Sequence, residues 1–303
     1  MRNQLLLAFT IFLIFAGSFA ARQLLGRPSG TPVRDDRPCL RIVSMAPSIS
    51  ETLSALGLTD RVVGTSRFDR FGGKQQPQSD VGGYLDPNFE AIVALRPDLV
   101  ILLVEQQQSM PAFDKLRLRT LTVSHQDIAG ILDSIAIVGR ECGAQKKAEE
   151  VVAEIHARLQ RIQQRAAGLP RPRVMVTVYR TLGSGKLENV CIAACDGHLG
   201  RIVELAGGEN AYRHRTVRFP IVSAEAVLHV NPDVIIDLVR QQSLAELGEK
   251  AIVSDWQQVA EVTAVRGGQV YVLGDDRAVI PGPNFVSLVE QFARLIHPRI
   301  YRQ

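Results

Sequence analysis

Glu90-Ala-Ile-Val-Ala-Leu-Arg-Pro97-Asp98-Leu-Val-Ile-Leu-Leu-Val104 and Glu225-Ala-Val-Leu-His-Val-Asn-Pro232-Asp233-Val-Ile-Ile-Asp-Leu-Val239 align without a gap, Glu on Glu and Pro-Asp on Pro-Asp. Each copy reads the same way. A short helix opens with an acid in its first turn, where the helix dipole favours it. Pro-Asp then ends the helix, because the residue before proline is pushed out of helical backbone. A run of six apolar or nearly apolar residues follows, the mark of a strand covered on both faces. One such unit is a half-turn of a parallel α/β sheet. Two of them, far apart in one chain, predict two similar lobes. Helix-start acids have a local role on their own; one acid per lobe on equivalent helices also suits a partner that touches both lobes.

The rest of the chain extends this pattern. Strands are expected at Arg41–Met45, Arg61–Thr65, Leu99–Val104 and Thr120–Val123. Helices are expected at Ser48–Leu56 and Asn88–Leu95, with Ser48 as N-cap and Glu51 as its capping-box partner. Val151, Val152, Ile155, Leu159 and Ile162 recur at helical spacing within a long segment, about residues 144–167, ended by Gly168-Leu-Pro170. A helix of that length suits a strut crossing a whole domain. Strands at Arg173–Tyr179, Val234–Val239 and Gln269–Leu273 follow, with helices at His198–Ala206 and Asn284–Leu295. The predicted fold is α/β: two doubly wound lobes with mostly parallel sheets, joined by one long rigid helix, with a ligand cleft between them. The expected bounds are 39–143 for the first lobe, 144–168 for the helix and 169–303 for the second lobe.

Composition sets the class. The chain has 303 residues, 46% hydrophobic and 22% charged, with a formal net charge of +4. Those values suit a globular protein and exclude a disordered, collagen-like or multi-span membrane chain. The basic excess is too small and scattered for nucleic acid. A basic start, the uncharged run Leu5–Ala21 and the triplet Ser18-Phe19-Ala20 read as a secretory signal peptide or an N-terminal anchor. Residues 22–38 read as a flexible tether. The remainder is expected to be periplasmic or otherwise extracytoplasmic. Cys191 with Cys195 would make a local disulfide and Cys39 with Cys142 a long one, but the four cysteines allow three pairings and sequence does not choose among them. Cys191, Cys195 and His198 lack the paired spacing of zinc motifs.

Arg41-Ile-Val-Ser-Met-Ala-Pro47-Ser-Ile-Ser-Glu51, Leu56-Gly57, Val63-Gly64, Val81-Gly-Gly-Tyr84, the Glu90 repeat, Leu205-Ala-Gly-Gly-Glu-Asn210 and Phe219-Pro220-Ile-Val-Ser223-Ala-Glu225 occur in this order. The ordered set resembles the periplasmic solute-binding proteins for cobalamin and ferric siderophores, over about residues 39–300. The resemblance implies a rigid two-lobed binder of a metal chelate, not an enzyme. It also implies docking on an ABC importer, a permease dimer with its ATPase, through Glu90 and Glu225. The binder is expected to be a monomer with no resident cofactor and no metal of its own.

Ligands of open α/β lobes sit outside the carboxyl ends of the strands. That rule places Arg67, Phe68 and Arg70, then Glu105, His125, Tyr179, Arg180, Asp275, Asp276 and Arg277, at the cleft; Tyr84 and Phe219 precede the repeated helices. The expected ligand-binding set is Arg67, Phe68, Tyr84, His125, Tyr179, Arg180, Phe219, Asp276 and Arg277. Resemblance matches Tyr84, Phe219 and Asp276 to positions lining a cobalamin cleft. Leu103 stands where the cobalamin binder has an aromatic, and Arg67, Arg70, Arg180, Arg218 and Arg277 add cationic forks suited to anionic chelates. A corrinoid, a ferric siderophore or haem therefore remains open as ligand. Two other readings stand beside transport: a two-lobed α/β enzyme, and a membrane-tethered sensor on the same fold. No Gly-x-Ser-x-Gly elbow, phosphate-binding glycine loop or cysteine framework for a cluster supports the enzyme.

Overall fold

In the strand Leu99–Leu103, Leu99, Ile101 and Leu103 join one apolar cluster while Val100 and Leu102 join another. Successive side chains point to opposite faces, so this strand is buried on both. The computed structural model describes residues 39–69, 79–215 and 217–301. The Leu5–Ala21 segment, the 22–38 tether and Arg70 lie outside them. Among the described residues no helix is long and apolar enough to cross a membrane.

The first lobe runs β1 (Ile42–Ser44), α1 (Pro47–Ala55), β2 (Val62–Thr65), β3 (Ser79–Asp80), α2 (Phe89–Ala94), β4 (Leu99–Leu103), α3 (Met110–Lys115), β5 (Thr120–Val123) and α4 (Ile128–Glu141). Its five strands form a wholly parallel sheet in the order β3-β2-β1-β4-β5. Helix α5 (Gln145–Ala166) follows. The second lobe runs β6 (Arg173–Tyr179), β7 (Val190–Ile192), α6 (His198–Leu205), β8 (Glu209–Asn210), β9 (Ile221–Val222), α7 (Ala224–Val230), β10 (Val234–Val239), α8 (Gln241–Leu247), α9 (Glu249–Ser254), α10 (Thr263–Arg266), β11 (Val270–Gly274), α11 (Phe285–Ile296) and α12 (Pro298–Tyr301). Its sheet, β11-β10-β6-β7-β9 with β8 against β6, is mixed: β7 runs antiparallel to both neighbours.

Three local expectations change. Helix α1 starts one residue early, with Pro47 at its first turn and no side-chain cap. Proline suits that position because its missing N–H had no partner there anyway. Ser48 is consequently inside the helix, and Glu51 is freed from any capping role. Helix α4 was missed, although Asp127 caps it by accepting from Gly130 N, and Ile131, Ile135 and Val138 line its buried face. Strand β7 returns antiparallel.

The long helix is a shared wall. Ala148, Ile155 and Ile162 of α5 sit in one continuous apolar cluster with Ile131 and Ile135 of α4 and Val289 and Phe292 of α11. Gly139 lets α4 and α5 approach closely, since a Cβ there would lie 2.5 Å from Ala148 Cβ. On the far side, Arg158 Nε and Nη2 grip Glu290 at 2.9 and 2.8 Å, and Nη2 also donates to Ser287 Oγ at 3.0 Å. Arg158 therefore ties α5 to the second lobe while Ala148 packs it on the first.

The repeat has a shared physical latch. Asp98 Oδ2 accepts from Leu40 N and Arg41 N at 2.8 and 3.0 Å. Asp233 Oδ2 accepts from Arg173 N at 2.8 Å. Arg41 reaches back to Leu95 O and Arg96 O at the end of α2, and Arg173 to Val230 O and Asn231 O at the end of α7. Arg96 and Asn231 both take left-handed backbone, φ 47° and 42°. In each lobe an arginine at the head of a central strand caps the C-terminus of the repeated helix, and the aspartate holds that strand's entry.

Candidate functional site

The loop after β2 and the loop after β11 come together across the lobes. Glu51 of α1 stands at the junction; a Cβ on Gly282 would lie 2.2 Å from Glu51 Oε2. Both of its carboxylate oxygens are buried, with no side-chain donor among the described residues and only a small backbone contribution from Asn284. Burial pushes the Glu51 carboxyl up to about 7, with Arg277 pulling it down and Asp275 and Asp69 adding to the rise. Burial also raises Asp69, opposed by a hydrogen bond donated by Ser50. The junction thus gathers residues of both lobes around Arg67–Asp69 and Asp275–Arg277.

Exposed rings and guanidinium groups stand on loops and strand ends of both lobes. Phe68 is 68% exposed, Tyr179 at the end of β6 is 64% and Phe219 is 40%. Tyr84 is half-buried against the first lobe. Its position is set by Gln106, whose buried amide donates to Tyr84 O and Met45 O at 2.8 and 3.2 Å while accepting from Leu103 N. Burial and the neighbouring Glu105 carboxylate push its hydroxyl up to about 12, so it stays a neutral donor. Arg67 faces Asp80 at 3.6 Å with both groups largely in water, an ion pair of little strength. Arg277 is equally open, with Asp275 at 3.8 Å. Asp276 is exposed and accepts from Gln241 N at 3.2 Å.

Two residues of the expected set are placed elsewhere. Arg180 is 4% exposed and belongs to the core of the second lobe. Its Nε donates to Asp237 Oδ2 at 2.9 Å, its Nη1 to Asp255 Oδ2 at 2.6 Å and its Nη2 to Ile252 O at 2.8 Å. Asp237 also accepts from Thr177 Oγ1 and from Trp256 Nε1 at 3.1 Å, and Asp255 from Gly183 N and Gly185 N at 2.8 and 2.7 Å. With its donors engaged inside the fold, the guanidinium has none to offer a ligand. The sequence did carry a signal: Asp237 breaks an otherwise apolar strand at the position that is Leu102 in the first copy. His125 is likewise buried, with Nε2 2.8 Å from Ser134 Oγ. Ser134 gives its own proton to Ile131 O, so His125 Nε2 carries the hydrogen. Burial lowers the ring to about 4, which keeps it neutral, and its Nδ1 has no hydrogen-bond partner among the described residues. His125 is a core residue.

Among the described residues no group of three His, Cys, Asp or Glu is arranged to hold a metal ion. Cys191 Sγ faces Phe219 O, and Cys195 Sγ faces Arg213 O and His214 O. His198 is buried at the start of α6, edge-on to Phe219 at 6.5 Å.

The two repeated helices present matching surfaces. Asn88 and Ser223 cap them, each accepting from the backbone three residues on. Glu90 and Glu225 are exposed, Ile92 and Val227 buried, and Val93 and Leu228 exposed again. Each acid therefore has an exposed apolar neighbour one turn along the same helix.

Residues 42–277 match the family model described as periplasmic binding protein. The chain belongs to this family. A curated relative in Bacillus subtilis (strain 168), described as the uncharacterized ABC transporter substrate-binding lipoprotein YvrC, is 27% identical over 270 residues, 87% of this chain and 82% of the relative. The cobalamin-binding protein of Halobacterium salinarum (strain ATCC 29341 / DSM 671 / R1) is 29% identical over 282 residues, 89% of this chain and 72% of the relative. Among solved structures, the periplasmic vitamin B12 binding protein BtuF of Vibrio cholerae superposes with a TM-score of 0.72 at 23% identity, covering 88% of this chain and 99% of that one. The last of these establishes the two-lobed fold. Membership of the periplasmic binding protein family makes this a substrate-binding transport protein by class, and the family is not one of enzymes.

Proposed function

We propose that the protein captures a bulky metal chelate, a corrinoid foremost, between its lobes outside the cytoplasmic membrane and delivers it to the permease of an ABC importer. The observation that carries this reading is the set of exposed rings Phe68, Tyr179 and Phe219, with half-buried Tyr84, on loops and strand ends of both lobes. Flat apolar faces with a few polar groups between them suit a large planar ligand. The cobalamin-binding relative supports the same choice. Exposed Arg67, Arg218 and Arg277 favour a chelate that carries carboxylates or phosphate, and make haem and ferric siderophores the necessary rivals.

Calorimetry with cyanocobalamin, haemin and a ferric siderophore tests the reading. One-to-one binding of the corrinoid is expected. Phe68→Ala with Phe219→Ala weakens it about tenfold or more, from the loss of two stacking faces. No binding of any of the three removes the transport reading; tighter binding of haemin transfers it to haem.

Docking is assigned to Glu90 and Glu225, the exposed acids of the repeat, with Val93 and Leu228 beside them. Charge pairs at such a surface steer encounter and fix register. Glu90→Ala with Glu225→Ala is expected to leave chelate affinity unchanged and to weaken capture by the permease about tenfold, with a flatter salt dependence. Equal loss of chelate affinity would put the acids in the cleft instead.

A further inference from the structure

The two buried cysteines of the first lobe are unused by ligand capture or docking. Cys39 lies three residues before β1, and Cys142 ends α4; both are nearly inaccessible. Each thiol shifts the other's ionisation, Cys39 downward and Cys142 upward, as close neighbours do. Arg61 Nη1 donates to Cys39 O at 3.3 Å and to Cys142 O at 3.0 Å, so one guanidinium nitrogen clamps both backbones. Cys39 Sγ also lies 3.2 Å from Glu141 O, the residue before its partner. Cys191 and Cys195 face separate backbone carbonyls and share none of this geometry.

We infer that Cys39 and Cys142 form a disulfide that staples the chain at its entry into the first lobe to the end of α4. Of the three full pairings that four cysteines permit, one contains this bond; its second bond, Cys191–Cys195, is not part of the inference, because those sulfurs face separate carbonyls. The bond forms by exchange while the chain folds, before the core closes. The Cys39 thiolate attacks an oxidised protein or glutathione disulfide and expels one thiolate. The Cys142 thiolate then attacks the mixed disulfide at Cys39 and expels the second. The two protons lost by the cysteines end on the two released thiols, and the oxidant's disulfide is the species reduced. The linked residues enclose roughly 100 residues, a long loop whose closure removes much freedom from the unfolded chain. The occurrence of the bond in the cell rests on the proposed export, because cytoplasmic thiols stay reduced.

The full chain, refolded from reduced denaturant in a glutathione redox buffer, is alkylated without reductant, digested and analysed by mass spectrometry. The same is done on protein exported by cells, its location fixed by protease access in spheroplasts. The expected result in both is a linked pair of peptides holding Cys39 and Cys142, with Cys191 and Cys195 alkylated. The oxidised form is expected to melt about 5–15 °C above Cys142→Ser. The link in refolded protein with free thiols in the cell would strike the export reading and leave the pair's chemistry standing. Alkylation of both Cys39 and Cys142 in the protein refolded in the redox buffer, or in protein shown to be outside the membrane, overturns the inference.

Discussion

Arg180→Met is expected to destabilise the second lobe by about 3–5 kcal/mol, the usual loss when one partner of a buried ion cluster is removed. Asp237 and Asp255 would keep their backbone, hydroxyl and indole donors but lose the only cation among the described residues that touches either. The guanidinium also lies over the Trp256 ring at 5.3 Å, so packing goes with the charge. Trp256 is the single tryptophan and makes the measurement direct. Its emission should shift to the red at a lower urea concentration in the variant than in the parent. Arg277→Met, at an exposed guanidinium, should move the midpoint little. A variant that unfolds normally but no longer binds chelate would return Arg180 to the cleft.

The second large effect is a pH dependence set by Glu51. Its carboxyl titrates near 4.5 in the unfolded chain and at about 7 in the folded one. Below about 4.5 both states hold the proton, and the group does not influence folding. As pH rises past that value, the unfolded chain releases its proton and is favoured, while the folded chain keeps the proton until about 7. The contribution to stability therefore falls between 4.5 and 7 and levels off above 7, by roughly 3 kcal/mol in total. Glu51→Gln keeps the shape and has no charge to bury. It should remove this slope and gain most over the parent above pH 7, read as urea midpoints at pH 5 and pH 8. An unchanged slope would mean that Glu51 is solvated.

Much of the architecture was legible from local rules. The Pro-Asp units fixed the phase of β4 and β10, and the apolar periodicity of Val151–Ile162 fixed α5 to within a residue at each end. The latch by Asp98 and Asp233 explains why the repeat is readable at all: the same backbone donors must be met in both lobes. What failed were judgements that depend on depth. Arg180 and His125 follow strands just as Arg67 does, and strand-end position cannot separate a side chain that turns inward from one left in water. Arg180 turns inward because Asp237, Asp255 and Trp256, 57 to 76 residues away in the chain, assemble a site for it. Ser48 was misplaced for a smaller reason: Pro47 can itself begin the helix.

By itself the amino-acid order determined the two α/β halves, the strut between them and the paired acids Glu90 and Glu225. Each of these is written in residues close together, through periodicity, helix-end chemistry and duplication. Only the tertiary structure decided which strand-end residues stay in solvent, which cysteines meet, and that Glu51 is shut between the lobes. Those outcomes depend on which distant groups are brought within a few ångströms and how much water is left between them, and no local pattern encodes that.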